Sequence, residues 1–163
     1  FVADYRRKGT VETLVAIMKY NGGRIRREEI RSILEVRIAL DTLIARLSIP
    51  MITDEEIQVL LEKVEAIQNT ASVQEAIGAA FAFQHEFALS SKNTLIPLIF
   101  QSFHAPIFTM WERFCELYGV EMLYNRNYTM WTYIKNRNTQ GAVDWIEYSL
   151  KQCIDGDTQI YFD

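Results

Sequence analysis

Two histidines provide the only imidazole groups in the sequence, and each lies in an otherwise apolar helical segment. His85 occurs in AFAFQHEFALSSKN, and His104 occurs in FQSFHAPIF. An imidazole can bind a metal, act as a base near neutral pH, or form a hydrogen bond with a ligand while it stays neutral. Packing within a helical core is the remaining interpretation, and the apolar neighbours favour it for both residues.

Metal binding and catalysis find little support in the spacing of residues. Zinc requires three or four ligands from Cys, His and carboxylate groups, and the candidates here are His85, His104 and an acid such as Glu86. The sequence has no HExxH, CxxC, GxSxG or P-loop pattern, and no two histidines at i, i+4. Cys115 lies close to two glutamates, whose charges disfavour a thiolate. We therefore expect no metal site, no cofactor and no enzymatic activity.

Arg37 and Asp41 are charged residues that fall within an apolar helical stripe. The apolar members of this stripe recur at steps of three and four residues: Ile30, Ile33, Leu34, Leu40, Ile44 and Leu47. A buried guanidinium needs a partner, because an unpaired buried charge costs several kcal/mol. Arg37 either forms a structural ion pair with Asp41 at i, i+4, or binds an anionic ligand group by a bidentate contact. The sequence leaves both interpretations open.

Aromatic residues concentrate late in the chain. The cluster consists of Tyr124, Tyr128, Trp131, Tyr133 and Trp145. Core packing explains most of these rings, but a phenol hydroxyl is also a polar group that can line a pocket. Tyr128 and Tyr133 are therefore candidate ligand-binding residues.

The length and composition of the chain indicate one acidic globular domain. The chain has 163 residues, 49% of them apolar and 23% charged, and its net charge is −4. An acidic domain is a poor candidate for binding a nucleic-acid backbone by itself. Two widely separated cysteines do not form a disulfide framework, and no run of about 18 apolar residues predicts a membrane span. We expect a cytoplasmic protein without a membrane partner.

Helical periodicity dominates the whole sequence, and no segment alternates at period two. The predicted helices are 10–20, 24–48, 53–69, 73–90, 94–118, 128–136 and 140–154. Pro106 should kink the fifth helix, and GVEMLYNRN at 119–127 is interpreted as a loop. The predicted fold is all-α, an antiparallel bundle of six to seven helices.

The order of several segments resembles the ligand-binding domain of GntR-type transcription regulators of the FadR subfamily, called the FCD domain. RREEIRSILEVRIALDTLIARLSIPMITDEEIQVLLEKVEAI resembles its opening, and FAFQHEFALSSKNTLIPLIFQSF is similar to its next block. NTQGAVDWIEYSLKQ resembles the last block, and FVADYRRKGTVETLVAIM resembles the linker and first short helix of that branch. The resemblance covers nearly the whole chain.

This resemblance implies a domain that senses an effector and dimerises. Residues 1–9 would be the linker from a winged-helix DNA-binding domain that precedes Phe1, and 10–163 would form the effector-binding and dimerisation domain. The implied partners are a second copy of the chain, DNA through the upstream domain, and a small effector, either a carboxylate or a fatty acid or acyl-CoA. The effector would occupy a central cavity and alter DNA binding allosterically.

The implied ligand-binding residues follow from the same resemblance. Arg37 matches an arginine of the family and would anchor an anionic group. The other candidates would shape the pocket around it: Asp41, His85, His104, Tyr128 and Tyr133.

Departures from the family pattern affect its metal site. Many members bind a divalent metal through one aspartate and three histidines. In this sequence His85 matches the first histidine and Phe81 stands in place of the aspartate. The later histidine positions fall near Thr132 and near Ile154 and Asp155. The resemblance therefore implies a metal-free sensor, and the alternative within the family is a metal-assisted organic-acid sensor. Two alternatives outside the family are a small helical enzyme that uses His85 as a base and a helical interaction domain.

Overall fold

A computed structural model describes residues 4–162, and α-helix is the dominant structure throughout them. The helices are α1 (Val11–Tyr20), α2 (Arg27–Ser48), α3 (Asp54–Ala66), α4 (Val73–Leu89), α5 (Ile96–Ser102), α6 (His104–Tyr118), α7 (Val120–Lys135) and α8 (Thr139–Asp155). A 3-10 turn at Tyr5–Arg7 precedes α1, and a second one at Ile67–Asn69 follows α3. No strand occurs among the described residues, which confirms the all-α prediction. Positions 1–3 of the predicted linker 1–9 lie outside the described residues.

Polar side chains at helix starts fix several of these boundaries. The Thr53 hydroxyl accepts a hydrogen bond from the Glu56 N–H at 3.1 Å, and the Glu56 carboxylate accepts one from the Thr53 N–H at 2.9 Å. Ser72 caps α4 and Asn138 caps α8 in the same way, through the N–H three residues further on. Each cap satisfies a backbone N–H that has no partner within its helix.

The segment predicted as one helix at 94–118 consists of two helices. α5 ends at Ser102 and α6 begins at His104, so Pro106 lies in the first turn of α6. A continuous helix would need a hydrogen bond from residue 106 to the Ser102 carbonyl, and proline has no N–H to donate and clashes with that carbonyl. The chain therefore breaks at Phe103 rather than bending at Pro106.

The prediction of a loop at 119–127 was wrong. Gly119, with φ of +84°, separates α6 from α7, and α7 then runs without interruption through Lys135. The buried residues of α7 are Leu123, Asn127, Trp131 and Ile134, which recur at steps of three and four residues. This period is hard to recognise in the sequence because one member of the buried face, Asn127, is polar.

The fourth helix lies at the centre of the bundle. α4 contacts α2, α3, α5, α6 and α7, while α2 packs along α8 and α7 packs against α3, α6 and α8. Among the largest fully buried side chains are Phe83 on α4, Phe100 on α5 and Met110 on α6. Within the described residues, no helix has both the length and the apolar character needed to cross a membrane.

The corrected start of α7 gives a direct prediction for Asn125, an exposed residue within its second turn. Asn125→Pro should lower the free energy of unfolding by about 3 kcal/mol, because proline removes an intrahelical hydrogen bond and clashes with the preceding turn. Asn125→Ala should change it by less than about 0.5 kcal/mol. Urea denaturation of both variants measures the difference, and equal stability of the two would show that this segment is not helical.

Candidate ligand-binding cavity

A cavity lies among α2, α4, α6, α7 and α8. Most of its lining is apolar and aromatic, and Phe83, Phe87, Met110, Phe114 and Met130 contribute to it. The cavity volume is about 110 Å³. In ligand pockets, a few polar groups in an apolar wall determine how a small organic molecule is oriented. The polar lining therefore decides which ligands are compatible.

Arg37 is the most deeply buried charged residue at this cavity, with only 3% of its surface exposed. Its Nη2 atom donates to Asp41 Oδ2 at 2.8 Å and to Gln84 Oε1 at 2.6 Å. The Gln84 amide donates to Asn127 Oδ1 at 2.9 Å, and the Asn127 amide donates to the Leu123 carbonyl at 2.8 Å. One continuous hydrogen-bond chain thus joins α2, α4 and α7.

The guanidinium of Arg37 still has donors available. Both of its hydrogen bonds leave from Nη2, whereas Nε is buried and has no hydrogen-bond partner. The rings of Trp111 and Phe100 lie 5.4 and 6.0 Å from its Cζ atom and hold the group in place. A buried N–H without an acceptor costs about 1–3 kcal/mol. Arg37 thus forms the ion pair with Asp41 through Nη2, while its Nε–H remains without an acceptor.

Asp41 is the acidic member of the cavity lining. Burial raises the pKa of its carboxyl group above the ordinary range, and the attraction of Arg37 opposes this shift without cancelling it. A carboxyl group in this position competes with any anionic ligand for the same guanidinium. Its protonation would remove that competition.

The structure brings Gln84 to the cavity, and it places His85 outside the lining. His85 lies beside the rings of Phe81 and Phe100, with centroids 6.0 and 6.2 Å away. Successive residues on a helix point about 100° apart, so a one-residue shift decides which side chain reaches Arg37. The sequence carried one signal for Gln84, which is its position between the two apolar residues Phe83 and Phe87.

The three other predicted pocket residues also lie outside the lining of this cavity. His104 is exposed and stacks on Phe108, with ring centroids 4.1 Å apart. Tyr128 is 36% exposed, and its ring contacts Trp131. Tyr133 packs against Gly141, where an added Cβ would come within 2.6 Å of the ring. Their roles in binding a ligand stay predictions.

Arg126 is a cavity residue that the sequence did not indicate. Its Nη1 donates to the Ser149 carbonyl at 3.1 Å, and its Nη2 donates to Thr158 Oγ1 at 2.8 Å. Its Cζ lies 4.8 Å from the centre of the Phe114 ring. Both Arg126 and Asn127 fall within the segment interpreted as a loop, so the error about α7 concealed them.

The donor set of the cavity does not fit the divalent metal that the resemblance connects with this domain. No group of three or more His, Cys, Asp and Glu side chains that could hold a metal occurs among residues 4–162. Two guanidinium groups, at Arg37 and Arg126, line the cavity, and their positive charges oppose a bound cation. Of the residues assigned to the metal positions, Phe81 lies in an aromatic cluster and Asp155 pairs with Arg31 at the surface.

The cysteine that the sequence raised as a possible nucleophile is a buried thiol. Burial raises the pKa of Cys115 to about 11, so the thiol stays protonated at neutral pH. The direction agrees with the prediction, but the cause is desolvation rather than the two neighbouring glutamates.

Comparison with known proteins identifies one family. A family model described as the FCD domain matches residues 32–152, which is well over half of the chain. No curated protein and no solved structure matches the chain.

The buried pair gives a prediction about pH. Arg37→Met leaves the Asp41 carboxyl buried without its cation, which raises its pKa further. A raised folded-state pKa stabilises the fold below the unfolded value of about 4, and this contribution is lost as the pH rises through the folded-state pKa. The substitution should therefore cost more stability at neutral than at acidic pH, by about 1.4 kcal/mol per unit of pKa change.

Urea denaturation at several pH values between about 4 and 8 measures this dependence. The double variant Arg37→Met with Asp41→Asn is the control, because it has no carboxyl group left to titrate at this position. Its cost relative to the wild type should be smaller at neutral pH than that of the single variant. If Arg37→Met lowers the free energy of unfolding equally at both ends of the pH range, Asp41 is not a buried carboxyl group whose ionisation depends on Arg37.

Proposed function

The chain belongs to the FCD family, which forms the C-terminal, effector-binding domain of GntR-family regulators, and from this premise we propose that its effector is a small organic anion held by Arg37. The effector occupies the cavity among α2, α4, α6, α7 and α8. The domain acts by binding rather than by catalysis. Its output is a change in the DNA affinity of the regulator of which it is the C-terminal domain.

The observation that carries this proposal is the incomplete hydrogen bonding of Arg37. The guanidinium is almost fully buried, it faces a cavity, and its Nε–H has no acceptor within the protein. A carboxylate presents two oxygens in a geometry that matches the guanidinium fork. Such a group would provide the missing acceptor and would release the strain of an unsatisfied buried donor.

The size of the cavity bears on the two effector classes implied by the resemblance. A cavity volume of about 110 Å³ suits a small carboxylate better than a long fatty acid or a complete acyl-CoA. We therefore propose a small carboxylate as the effector, with a fatty acid as the alternative that a binding screen would distinguish.

The hydrogen-bond chain suggests how an effector changes the packing of helices. A carboxylate at Arg37 competes with Asp41 and Gln84, and so alters contacts that join α2, α4 and α7. The N-terminal end of α2 is linked to the segment before α1 through Tyr5, whose hydroxyl donates to Glu29 at 3.2 Å. We propose that a shift of α2 is transmitted along this route to the DNA-binding part of the regulator.

A homodimer is typical of the family, and we propose it for this chain as well. Two domains that respond together would set the spacing of two DNA-binding parts. The subfamily assignment to FadR stays a hypothesis, since the family match does not distinguish among the branches.

Two substitutions at the same ion pair should change ligand affinity in opposite directions. Isothermal titration with acetate, benzoate, octanoate and pyruvate selects the tightest ligand of the wild-type chain. Arg37→Gln should weaken that ligand about tenfold or more, because a charge-assisted hydrogen bond contributes about 1.5–3 kcal/mol. Asp41→Asn should strengthen it, because the arginine loses its competing carboxylate while the amide oxygen still accepts from Nη2.

Both variants break the same ion pair, so each acts as the control for the other. Thermal unfolding should report a loss of stability in both cases. If the two variants weaken binding equally, Arg37 has only a structural role. Unchanged affinity in Arg37→Gln would likewise refute the proposed anchor.

A further inference from the structure

We propose that Arg126 is a second anionic anchor of the cavity, and that the effector is a dicarboxylic acid whose two carboxylates bind Arg37 and Arg126. The inference deepens the proposed function and rests on it.

The two guanidinium groups differ in how their charge is balanced. Arg37 has the Asp41 carboxylate at 2.8 Å. Arg126 forms no ion pair among the described residues, and its hydrogen bonds go to the Ser149 carbonyl, the Thr158 hydroxyl and the Cys153 sulfur. All three acceptors are neutral. A guanidinium that lines a cavity without a counter-charge therefore attracts an anionic group.

The two arginines of the cavity lining bond to different sets of polar groups. Arg37 belongs to the hydrogen-bond chain that includes the Gln84 and Asn127 amides. Arg126 faces α8, where it bonds to the backbone of Ser149. Apolar side chains form most of the remaining lining, and Phe114 lies beneath the Arg126 guanidinium. This arrangement matches a ligand with two acidic groups joined by a short apolar body.

A purely structural role for Arg126 would be to hold the segment that follows α8. Arg113 has this structural role and allows a comparison. Its Nη2 donates to the Tyr161 carbonyl at 3.2 Å, its Cζ lies 5.1 Å from the Phe162 ring, and Glu116 provides a carboxylate at 3.5 Å. Arg113 does not line the cavity. Support of the C-terminal segment thus requires neither a place in the cavity wall nor a missing counter-charge.

The test compares ligands with one and two carboxylates. Isothermal titration of the full chain uses the straight-chain dicarboxylates from malonate to sebacate, and for each the monocarboxylate with the same number of carbons. The best dicarboxylate should bind the wild type about tenfold more tightly than its matched monocarboxylate, which corresponds to about 1.4 kcal/mol. Arg126→Gln should abolish this advantage, so that each dicarboxylate binds no more tightly than its matched monocarboxylate.

Arg113→Gln is the matched control, because it removes a guanidinium that holds the C-terminal segment without touching the cavity. It should retain the tenfold advantage. If Arg126→Gln does not fold, Arg126→Lys replaces it. An ammonium keeps the charge but not the planar fork, so the advantage should fall severalfold without disappearing.

The outcomes separate this inference from the proposed function. An advantage that survives in Arg126→Gln, or that is unchanged in Arg126→Lys, overturns the second anchor. Equal affinity of the wild type for both acid series overturns it too, while a loss of monocarboxylate binding in Arg37→Gln would still support the proposed function. If no acid of either series binds the wild type, both proposals fail.

Discussion

A buried guanidinium imposes the strongest constraint on this bundle. Arg37 cannot leave the interior without moving α2, and it cannot remain there without acceptors, because the desolvation of an unpaired charge costs several kcal/mol. The structure provides acceptors from its own helix through Asp41 and from α4 through Gln84. Asn127 then connects Gln84 to α7. The relative positions of three helices are therefore tied to the hydrogen bonding of one side chain.

The hydrogen bonding of this network is incomplete. Two features of this network cost stability at neutral pH: the Arg37 Nε–H is buried without a partner, and burial raises the pKa of the Asp41 carboxyl group. Both features become favourable when an anion enters, since it provides an acceptor for Arg37 and Asp41 can take up a proton. Functional sites often carry such local costs, which the rest of the fold compensates. Here the compensation comes from the large apolar core of the bundle.

The sequence predicts local features of this fold well and long-range features poorly. α1 to α4 and α8 follow from apolar periodicity and polar caps, and the Arg37–Asp41 pair follows from i, i+4 spacing; each depends only on residues close in the chain. The position of Gln84 beside Arg37 depends on how α4 is rotated about its axis relative to α2. The apolar periodicity of the sequence defines this rotation only to within about one residue, or about 100°. The helical start of α7 was concealed because its buried face includes Asn127, a polar residue that is satisfied by Gln84 on α4 and by the Leu123 carbonyl on α7 itself.

The cavity lining is connected through Arg126 to the segment after α8 and to the start of α2. Arg126 holds Thr158 in the segment after α8, and within that segment the Tyr161 hydroxyl donates to the Ile154 carbonyl at 2.9 Å. The Tyr161 ring in turn lies 3.9 Å from the Arg27 guanidinium carbon at the first residue of α2. An anion that draws Arg126 away from Thr158 would thus perturb the start of α2 from one side, while an anion at Arg37 perturbs its middle from the other. A ligand that engages both arginines acts on α2 at two points, which a ligand with a single anionic group cannot do.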